Sequence, residues 1–172
     1  AIDFELARAI ASEMPPLVSV VGVFVDATPD HVRSVADAVG LSAVQLHGNE
    51  QAGEWARFPR PVLKAMAVED YAASPWRDAR AAILVDAHDP GTIGGTGRTI
   101  DWQAARAIAA TRPLVLAGGL RPENVGDAIA TVAPWGVDVA SGIERSPGVK
   151  DPARVRAFVQ AVRAADAARG VR

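Results

Sequence analysis

A single carboxylate, Asp86, directly follows the apolar run AAILV at residues 81–85. A short apolar run of this kind is typical of a buried strand, so Asp86 stands where the strand is expected to end. A carboxylic acid in a water-poor pocket at such an end can donate a proton as a general acid. Asp86 is therefore the catalytic candidate, and the alternative is an aspartate that only caps the following loop.

Two glycine-containing turns follow the last two strand-like runs of the chain. Gly118 and Gly119 end one run, and Ser141, Gly142 and Ile143 end the next. Consecutive turns of this kind in parallel β/α enzymes bind phosphate through backbone N–H groups, because glycine lets the anion approach closely. These five residues are predicted to bind a phosphate group. The alternative is that the glycines only allow tight turns with positive φ.

Three further polar residues lie at predicted strand ends and are candidates for a substrate pocket. Gln45 and His47 are two positions apart in AVQLHG, so strand alternation places their side chains on the same side. The alternative for His47 is a hydrogen-bonded structural group. Asp138 lies within the apolar segment GVDVAS and must be paired if it is buried.

The segment HDPGTIGGTGRTIDW at residues 88–102 contains four glycines and resembles a mobile loop that covers a substrate. We assign Gly95 in this loop to the substrate pocket. The dinucleotide pattern G-x-G-x-x-G is not met at a first strand-to-helix turn, which argues against a nucleotide cofactor. His31 and His88 have no partners at ligand spacing, so no metal site is predicted.

The shares of hydrophobic and charged residues are typical of a globular protein. The 172 residues are 49% hydrophobic and 22% charged, and their formal net charge is −2. This length fits one domain, and this charge gives no general attraction to nucleic acid or to an anionic membrane. Cysteine is absent, which is compatible with the cytoplasm. We therefore expect one domain over residues 1–172, a cytoplasmic location, and no nucleic-acid or membrane partner.

Apolar runs and helix signals alternate along the chain. The six runs are Val18 to Val25, Ala43 to Leu46, Val62 to Ala65, Ala82 to Val85, Leu114 to Ala117 and Val137 to Ala140. Their spacing leaves room for crossover helices, which indicates parallel strands. Runs without alternation indicate burial on both faces, as in a barrel or a doubly wound sheet. Polar or glycine-rich residues follow almost every run, which favours a barrel because a barrel gathers all strand ends at one face.

Five segments of the chain together resemble phosphoribosylanthranilate isomerases, the (β/α)8 enzymes of tryptophan biosynthesis. The segments are VGVFVD, AVQLHG, ILVDA followed by GGTGRTIDW, LAGGLRPENV, and VDVASGIERSPGVKD. They agree with the family in order and spacing over the whole chain. The resemblance therefore implies an α/β fold of the (β/α)8 TIM barrel type.

The resemblance also implies an activity and a role for Asp86. Members catalyse an Amadori rearrangement of N-(5-phosphoribosyl)anthranilate without a cofactor, as monomers or homodimers. Asp86 matches the general acid that protonates the ribose ring oxygen. The general base in the family is a cysteine in a K-I-C-G motif on the first strand, and an arginine before the segment matching residues 1–3 binds the anthranilate carboxylate. Neither motif is found here, so strand 1, helix 1 and strand 2 of the barrel are expected to be missing.

Three hypotheses follow for the function. The leading one is the isomerase, with the chain expected to be inactive as a fragment. The second is a non-catalytic remnant that binds a sugar phosphate or is completed by a partner. The third, another phosphate-binding barrel of the same pathway such as an indole-forming synthase, is disfavoured by VQLHG and GGTG.

Overall fold

The computed structural model describes residues 2–86 and 102–170. The α-helices there are α1 (Phe4–Ser12), α2 (Pro29–Val39), α3 (Ala52–Trp55), α4 (Trp102–Ala109), α5 (Val125–Val132) and α6 (Pro152–Ala168). The strands are β1 (Val21–Phe24), β2 (Ala43–Leu46), β3 (Val62–Met66), β4 (Ala82–Val85), β5 (Leu114–Leu116), β6 (Gly136–Val137), β7 (Glu144–Ser146) and β8 (Val149–Lys150). Strands β1 to β6 follow one another in the parallel sheet in chain order. Strands β7 and β8 form a separate antiparallel ribbon.

The described residues divide into two compact units. The first holds residues 2–66 and 70–83, and the second holds residues 67–69, 84–86 and 102–170. The expectation of a single domain over residues 1–172 stays a prediction.

In the first unit, β1, β2 and β3 pair in parallel, so their carboxyl ends lie at one edge. Val23 is opposite Gln45 in one pair of strands, and Leu46 is opposite Lys64 in the other. Helix α2 covers this part of the sheet with its buried residues Val32, Ala36 and Val39. Thr28 caps the start of α2 with its side chain, and Gly40 ends the helix at φ 80°. The register therefore brings the residues that follow three strands to the same edge.

The second unit contains the end of β4, strands β5 and β6, and helices α4, α5 and α6. The backbone N–H of Ala117, just after β5, donates to the carbonyl oxygen of Val85 at 2.9 Å. Strand β6 pairs in parallel with β5. Helix α5 buries Val125, Ala128, Ile129 and Val132, and α6 is capped at its start by Asp151. No helix in residues 2–86 and 102–170 is long and apolar enough to cross a membrane.

All six predicted runs overlap a strand; β2 and β4 have the predicted bounds, and the other four differ. Strand β1 begins at Val21 rather than Val18, and β6 covers only Gly136–Val137. The interval between β3 and β4 has two short 3-10 turns, Tyr71–Ala73 and Pro75–Arg77, where a crossover helix is usual. The ribbon of β7 and β8 was not predicted.

The predicted (β/α)8 barrel lacking strand 1, helix 1 and strand 2 is wrong as a description of this chain. The structure has six strands in parallel order and an additional antiparallel ribbon. The error came from inferring missing elements from motifs that the sequence does not contain. An absent motif carries no information about which strands a chain forms, whereas strand pairing depends on the apolar runs that are present.

Candidate active site

Gln45 and His47 lie together at the carboxyl end of β2. Nε2 of Gln45 is 3.5 Å from Nδ1 of His47, with Gln45 half-buried and His47 exposed. The backbone N–H of His47 donates to the carbonyl oxygen of Phe24 at 2.9 Å, which continues the pairing of β1 with β2. The expectation that both side chains point to the same side agrees with this contact, and their assignment to a pocket stays a prediction.

Glu50, which follows β2, forms a buried ion pair with Lys64 of the neighbouring strand β3. Nζ of Lys64 is 2.9 Å from Oε2 of Glu50. The Lys64 side chain is 6% exposed, and the Glu50 side chain is 2% exposed. Lys64 also donates to the carbonyl oxygen of Gly48 at 2.5 Å. Nε1 of Trp76 donates to the carbonyl oxygen of Glu50 at 2.8 Å. The pair therefore ties β3 to the turn that follows β2.

The carboxylate of Glu50 stays ionised because of the donors around it. Burial alone would raise the pKa of Glu50, but the hydrogen bond from Lys64, the backbone N–H donors and the Lys64 charge together hold this pKa below its ordinary value of 4.5. The backbone N–H groups of Asp26 and Gly48 donate to this carboxylate at 3.0 and 3.1 Å. The ionised carboxylate therefore accepts hydrogen bonds from the backbone N–H groups that follow β1 and β2.

Asp26, which follows β1, adopts a left-handed backbone conformation with φ 51°. This conformation is uncommon for a residue other than glycine and costs about 1–3 kcal/mol where the surroundings enforce it. Its Oδ1 atom accepts a hydrogen bond from the backbone N–H of Asn49 at 2.6 Å. A Cβ atom at Gly48 would lie 2.7 Å from the Asp26 backbone nitrogen, so only glycine fits there.

Sequence reasoning missed Asp26, Glu50 and the role of Lys64 in this group. The available signal was that polar residues follow two successive strand runs, in VFVD and LHGNE, and that Lys64 interrupts the third, in VLKA. The register of a parallel sheet brings such residues to one edge.

In the second unit, Asp86 directly follows β4 and is half-buried. This is the strand-end position that the sequence indicated. Residues 87–101, which include His88 and Gly95, lie outside the described part of the chain.

The two glycine turns come together in the second unit. Gly118 and Gly119 have φ values of 82° and 62°, so both need the left-handed region. Gly142 is buried, and a Cβ atom there would lie 2.9 Å from the carbonyl carbon of Leu120 and closer still to its oxygen. The glycines therefore allow positive φ in the first turn and close approach of the Leu120 backbone in the second, and their assignment to a phosphate site stays a prediction.

Replacing Gly142 by alanine adds a Cβ atom that should push the second glycine turn away from Leu120 in the first. We expect Gly142→Ala to lower the free energy of unfolding by about 1–3 kcal/mol, as overpacking in a tight site does. The matched control is Gly126→Ala in α5, where a Cβ atom meets nothing within 4 Å. The control should be neutral or stabilising by about 0.5–1 kcal/mol. Urea denaturation of both variants measures the difference, and equal effects would show that the contact with Leu120 is not tight.

The Asn124 side chain bridges the backbone of the first glycine turn with two hydrogen bonds. Its Oδ1 atom accepts from the backbone N–H of Arg121 at 2.8 Å, and its Nδ2 atom donates to the carbonyl oxygen of Gly119 at 3.1 Å. Asn124 directly precedes α5, the position of a helix N-cap, but its side chain makes no capping hydrogen bond to the helix. It fixes the turn before the helix instead.

Lys150 braces the second glycine turn. Its Nζ atom donates to the carbonyl oxygen of Ala140 at 2.8 Å and to Oε1 of Glu144 at 2.7 Å. The hydrogen bonds from Lys150 and from the Gly148 backbone N–H lower the pKa of Glu144. The ribbon of β7 and β8 thus holds the residue that precedes Ser141.

Asp138, assigned to the pocket, is exposed rather than buried in its apolar segment. Its backbone N–H donates to the carbonyl oxygen of Leu116 at 2.8 Å. Within the part of the chain that the structure describes, no group of three His, Cys, Asp or Glu residues could hold a metal ion.

The strand-end residues and glycine turns lie within a segment that matches a known family. Residues 3–161 match the family described as N-(5'phosphoribosyl)anthranilate (PRA) isomerase. The chain belongs to this family. It is therefore an enzyme by family membership, as the motif resemblance implied.

Individual PRA isomerases agree with this assignment. The PRA isomerase of Geobacter sp. (strain M21) is 49% identical over 158 residues, which cover 90% of this chain and 77% of the relative. That of Pseudomonas fluorescens (strain Pf-5) is 43% identical over 95% of this chain and 79% of the relative. The Thermotoga maritima PRA isomerase structure superposes with a TM-score of 0.85 at 39% identity, covering 95% of this chain and 82% of that one.

These matches also bear on the predicted truncation. Because 95% of the chain superposes on a PRA isomerase structure, the fold is that of the family. The expectation of an inactive, truncated chain has no support in these matches.

Proposed function

We propose that this chain catalyses the Amadori rearrangement of N-(5-phosphoribosyl)anthranilate to 1-(o-carboxyphenylamino)-1-deoxyribulose 5-phosphate in tryptophan biosynthesis. The observation that carries the proposal is the family match over residues 3–161. A further PRA isomerase structure, similar at a TM-score of 0.79 and 37% identity over 95% of this chain and 80% of that one, is a complex with the reduced form of this product. The position of Asp86 at a strand end is consistent with the acid step.

The reaction needs one proton donor and one proton acceptor. Asp86 donates its proton to the ribose ring oxygen as the C1′–O bond breaks, and the nitrogen lone pair forms the C1′=N bond. A base then removes the C2′ proton, and the resulting enolamine tautomerises to the C2′ ketone, so that substrate and product are isomers. The resemblance implies a cysteine base, and these 172 residues contain no cysteine. We therefore assign the acid and leave the base unassigned.

The two glycine turns are the proposed phosphate site. Gly118, Gly119, Ser141, Gly142 and Ile143 offer backbone N–H groups, and buried backbone donors bind phosphate well where glycine allows close approach. Support comes from the contact between the turns at Gly142 and Leu120. Asn124 holds the first turn in place, and Lys150 holds the second.

Asn124 provides a test of the phosphate site. We expect Asn124→Ala to raise KM about tenfold because the Gly119 turn loses two hydrogen bonds, while kcat changes little. Asn124→Asp keeps an acceptor for the Arg121 N–H but loses the donor to Gly119 and adds a negative charge near the phosphate, so its KM should rise at least as much. Steady-state kinetics and competitive inhibition by inorganic phosphate measure both. An unchanged KM in both variants would place the phosphate elsewhere.

The remaining assignments complete the proposal. Gln45, His47, Gly95 and Asp138 are each assigned to substrate binding, and the ligand is the small-molecule sugar phosphate without a cofactor. Another solved structure shows monomers generated from the dimeric PRA isomerase of T. maritima. For this chain, we propose a monomer or homodimer that acts in the cytoplasm.

The direct test combines growth and chemistry. The gene product that carries these residues should restore growth of a tryptophan auxotroph lacking PRA isomerase, and the purified protein should convert the substrate to its isomer, as separated by chromatography. Soluble protein that does neither would contradict the proposal. Phosphate binding without conversion would favour the non-catalytic alternative.

A further inference from the structure

The Glu50–Lys64 ion pair takes no part in the proposed chemistry, yet it is almost fully buried at the strand ends of the first unit. Burying two charges is costly, and well-packed apolar residues often serve stability as well or better. Stability alone therefore explains this pair poorly. We propose that Glu50 and Lys64 are positioning residues for the isomerase reaction, which hold His47 and Asp26 in their places at the substrate site. This inference rests on the proposed function.

Both members of the pair hold Gly48. Its backbone N–H lies 3.1 Å from both carboxylate oxygens of Glu50, and its carbonyl oxygen accepts from Nζ of Lys64 at 2.5 Å. Gly48 directly follows His47. Fixing both polar groups of this one residue fixes the direction in which the chain leaves β2, and with it the position of the His47 side chain.

Glu50 also holds the backbone of Asp26. Oε1 of Glu50 accepts from the Asp26 backbone N–H at 3.0 Å, and Asp26 has φ 51°. Strained conformations persist only where the surroundings enforce them, and they cluster at functional sites. The same carboxylate thus sets the backbone after β1 and after β2. Asp26 and His47 follow these two paired strands, and both are exposed.

A second ion pair lies at the opposite end of the same strands. Arg60 precedes β3, and its Nη2 atom is 2.6 Å from Oδ1 of Asp37, with side chains 23% and 61% exposed. Nε of Arg60 donates to the carbonyl oxygen of Leu41, which precedes β2. This partly exposed pair also ties two strands together, but at the ends away from His47. The buried pair is the one located where β/α enzymes place their substrates.

The test uses variants at both ends of the strands. Glu50→Gln, Lys64→Met and Gly48→Ala disturb the turn, and Arg60→Met is the matched control for the loss of an ion pair. Two kinds of measurement are made. The first gives kcat and KM for the isomerase reaction, and the second gives the ring NMR signals of His47, with the exposed His31 on α2 as the internal reference. Unfolding curves confirm that each variant is folded under assay conditions.

The proposal predicts that the turn variants lower kcat/KM about 10- to 100-fold and shift the His47 signals, because small misplacements of site residues are costly. Arg60→Met should keep kcat/KM within about twofold and leave His47 unchanged. Folded turn variants with unchanged kinetics and unchanged His47 signals would overturn the inference. Should Lys64→Met be insoluble, Glu50→Gln and Gly48→Ala decide the question. A wild-type protein without isomerase activity would instead overturn the proposed function, and this inference with it.

Discussion

Replacing Asp86 by asparagine is expected to lower kcat about 10²- to 10⁴-fold, the usual contribution of a general acid. Asparagine has nearly the same size and keeps the half-buried strand-end position, but its amide cannot deliver a proton to the ring oxygen. The free energy of unfolding should change little by comparison. Steady-state kinetics with the purified protein measures the effect, and the control is Asp30→Asn, an exposed carboxylate in the first turn of α2.

A second variant, Asp86→Ala, separates the two interpretations of Asp86. A loop cap would show its loss in stability, because Asp86→Ala would unfold at lower urea while the folded protein kept its kcat. Loss of a general acid would lower kcat and leave the stability against urea nearly unchanged. A fall in kcat smaller than about tenfold would remove Asp86 from the chemical step.

The second large effect is expected for Lys64→Met. Removing one member of a buried pair leaves an uncompensated charge, so the free energy of unfolding should fall by about 3–5 kcal/mol. This is a large part of the total stability of about 5–15 kcal/mol that is usual for a domain. Urea denaturation near neutral pH measures it. The double variant Glu50→Gln/Lys64→Met should lose less than Lys64→Met alone, and Arg60→Met should lose only about 0–1 kcal/mol.

The pH dependence of stability provides the check on this second prediction. The pKa of Glu50 is lowered on folding, so its contribution is fully present above its ordinary value of 4.5 and is lost as pH falls through the folded value. In Lys64→Met, burial without the lysine favours the protonated acid. The stability difference between wild type and Lys64→Met should therefore shrink below pH 4.5. A difference that stays constant into acid would contradict the coupling between the two side chains.

The sequence predicted the strands well because short apolar runs bounded by turn signals are typical of strands. Each of the six runs overlaps a strand, and Asp86 and His47 directly follow β4 and β2. Several strand boundaries differ from the run boundaries, because pairing determines where a strand begins. Strand β1 starts only at Val21, opposite Ala43, four residues after Leu17 with its φ of 71°. No local pattern in Val18 to Val25 marks that point.

Long-range polar contacts could not be read from the sequence. Glu50 and Lys64 are 14 positions apart, and neither belongs to a motif with a known spacing. Asn124 stood where a helix cap is expected, yet its side chain turns back to Gly119 and Arg121. Such contacts depend on strand register and on the path of a turn. Both are set by packing across the sheet rather than by neighbouring residues.

The predicted missing strands show the opposite error. Motifs that are present in the chain, such as LAGGLRPENV, correctly indicated the family, and the match over residues 3–161 agrees. Absent motifs, such as K-I-C-G, say nothing about the pairing of the strands that exist. Six parallel strands and 95% superposition on a PRA isomerase are the observed result.

Conversion of N-(5-phosphoribosyl)anthranilate by the purified gene product tests the central claim most directly. We expect formation of the 1-deoxyribulose 5-phosphate isomer by the wild-type protein, and a loss of this conversion in Asp86→Asn that leaves the protein folded. Folded wild-type protein that forms no isomer would contradict the assignment of this activity to the chain. Equal conversion by wild type and Asp86→Asn would contradict the mechanism.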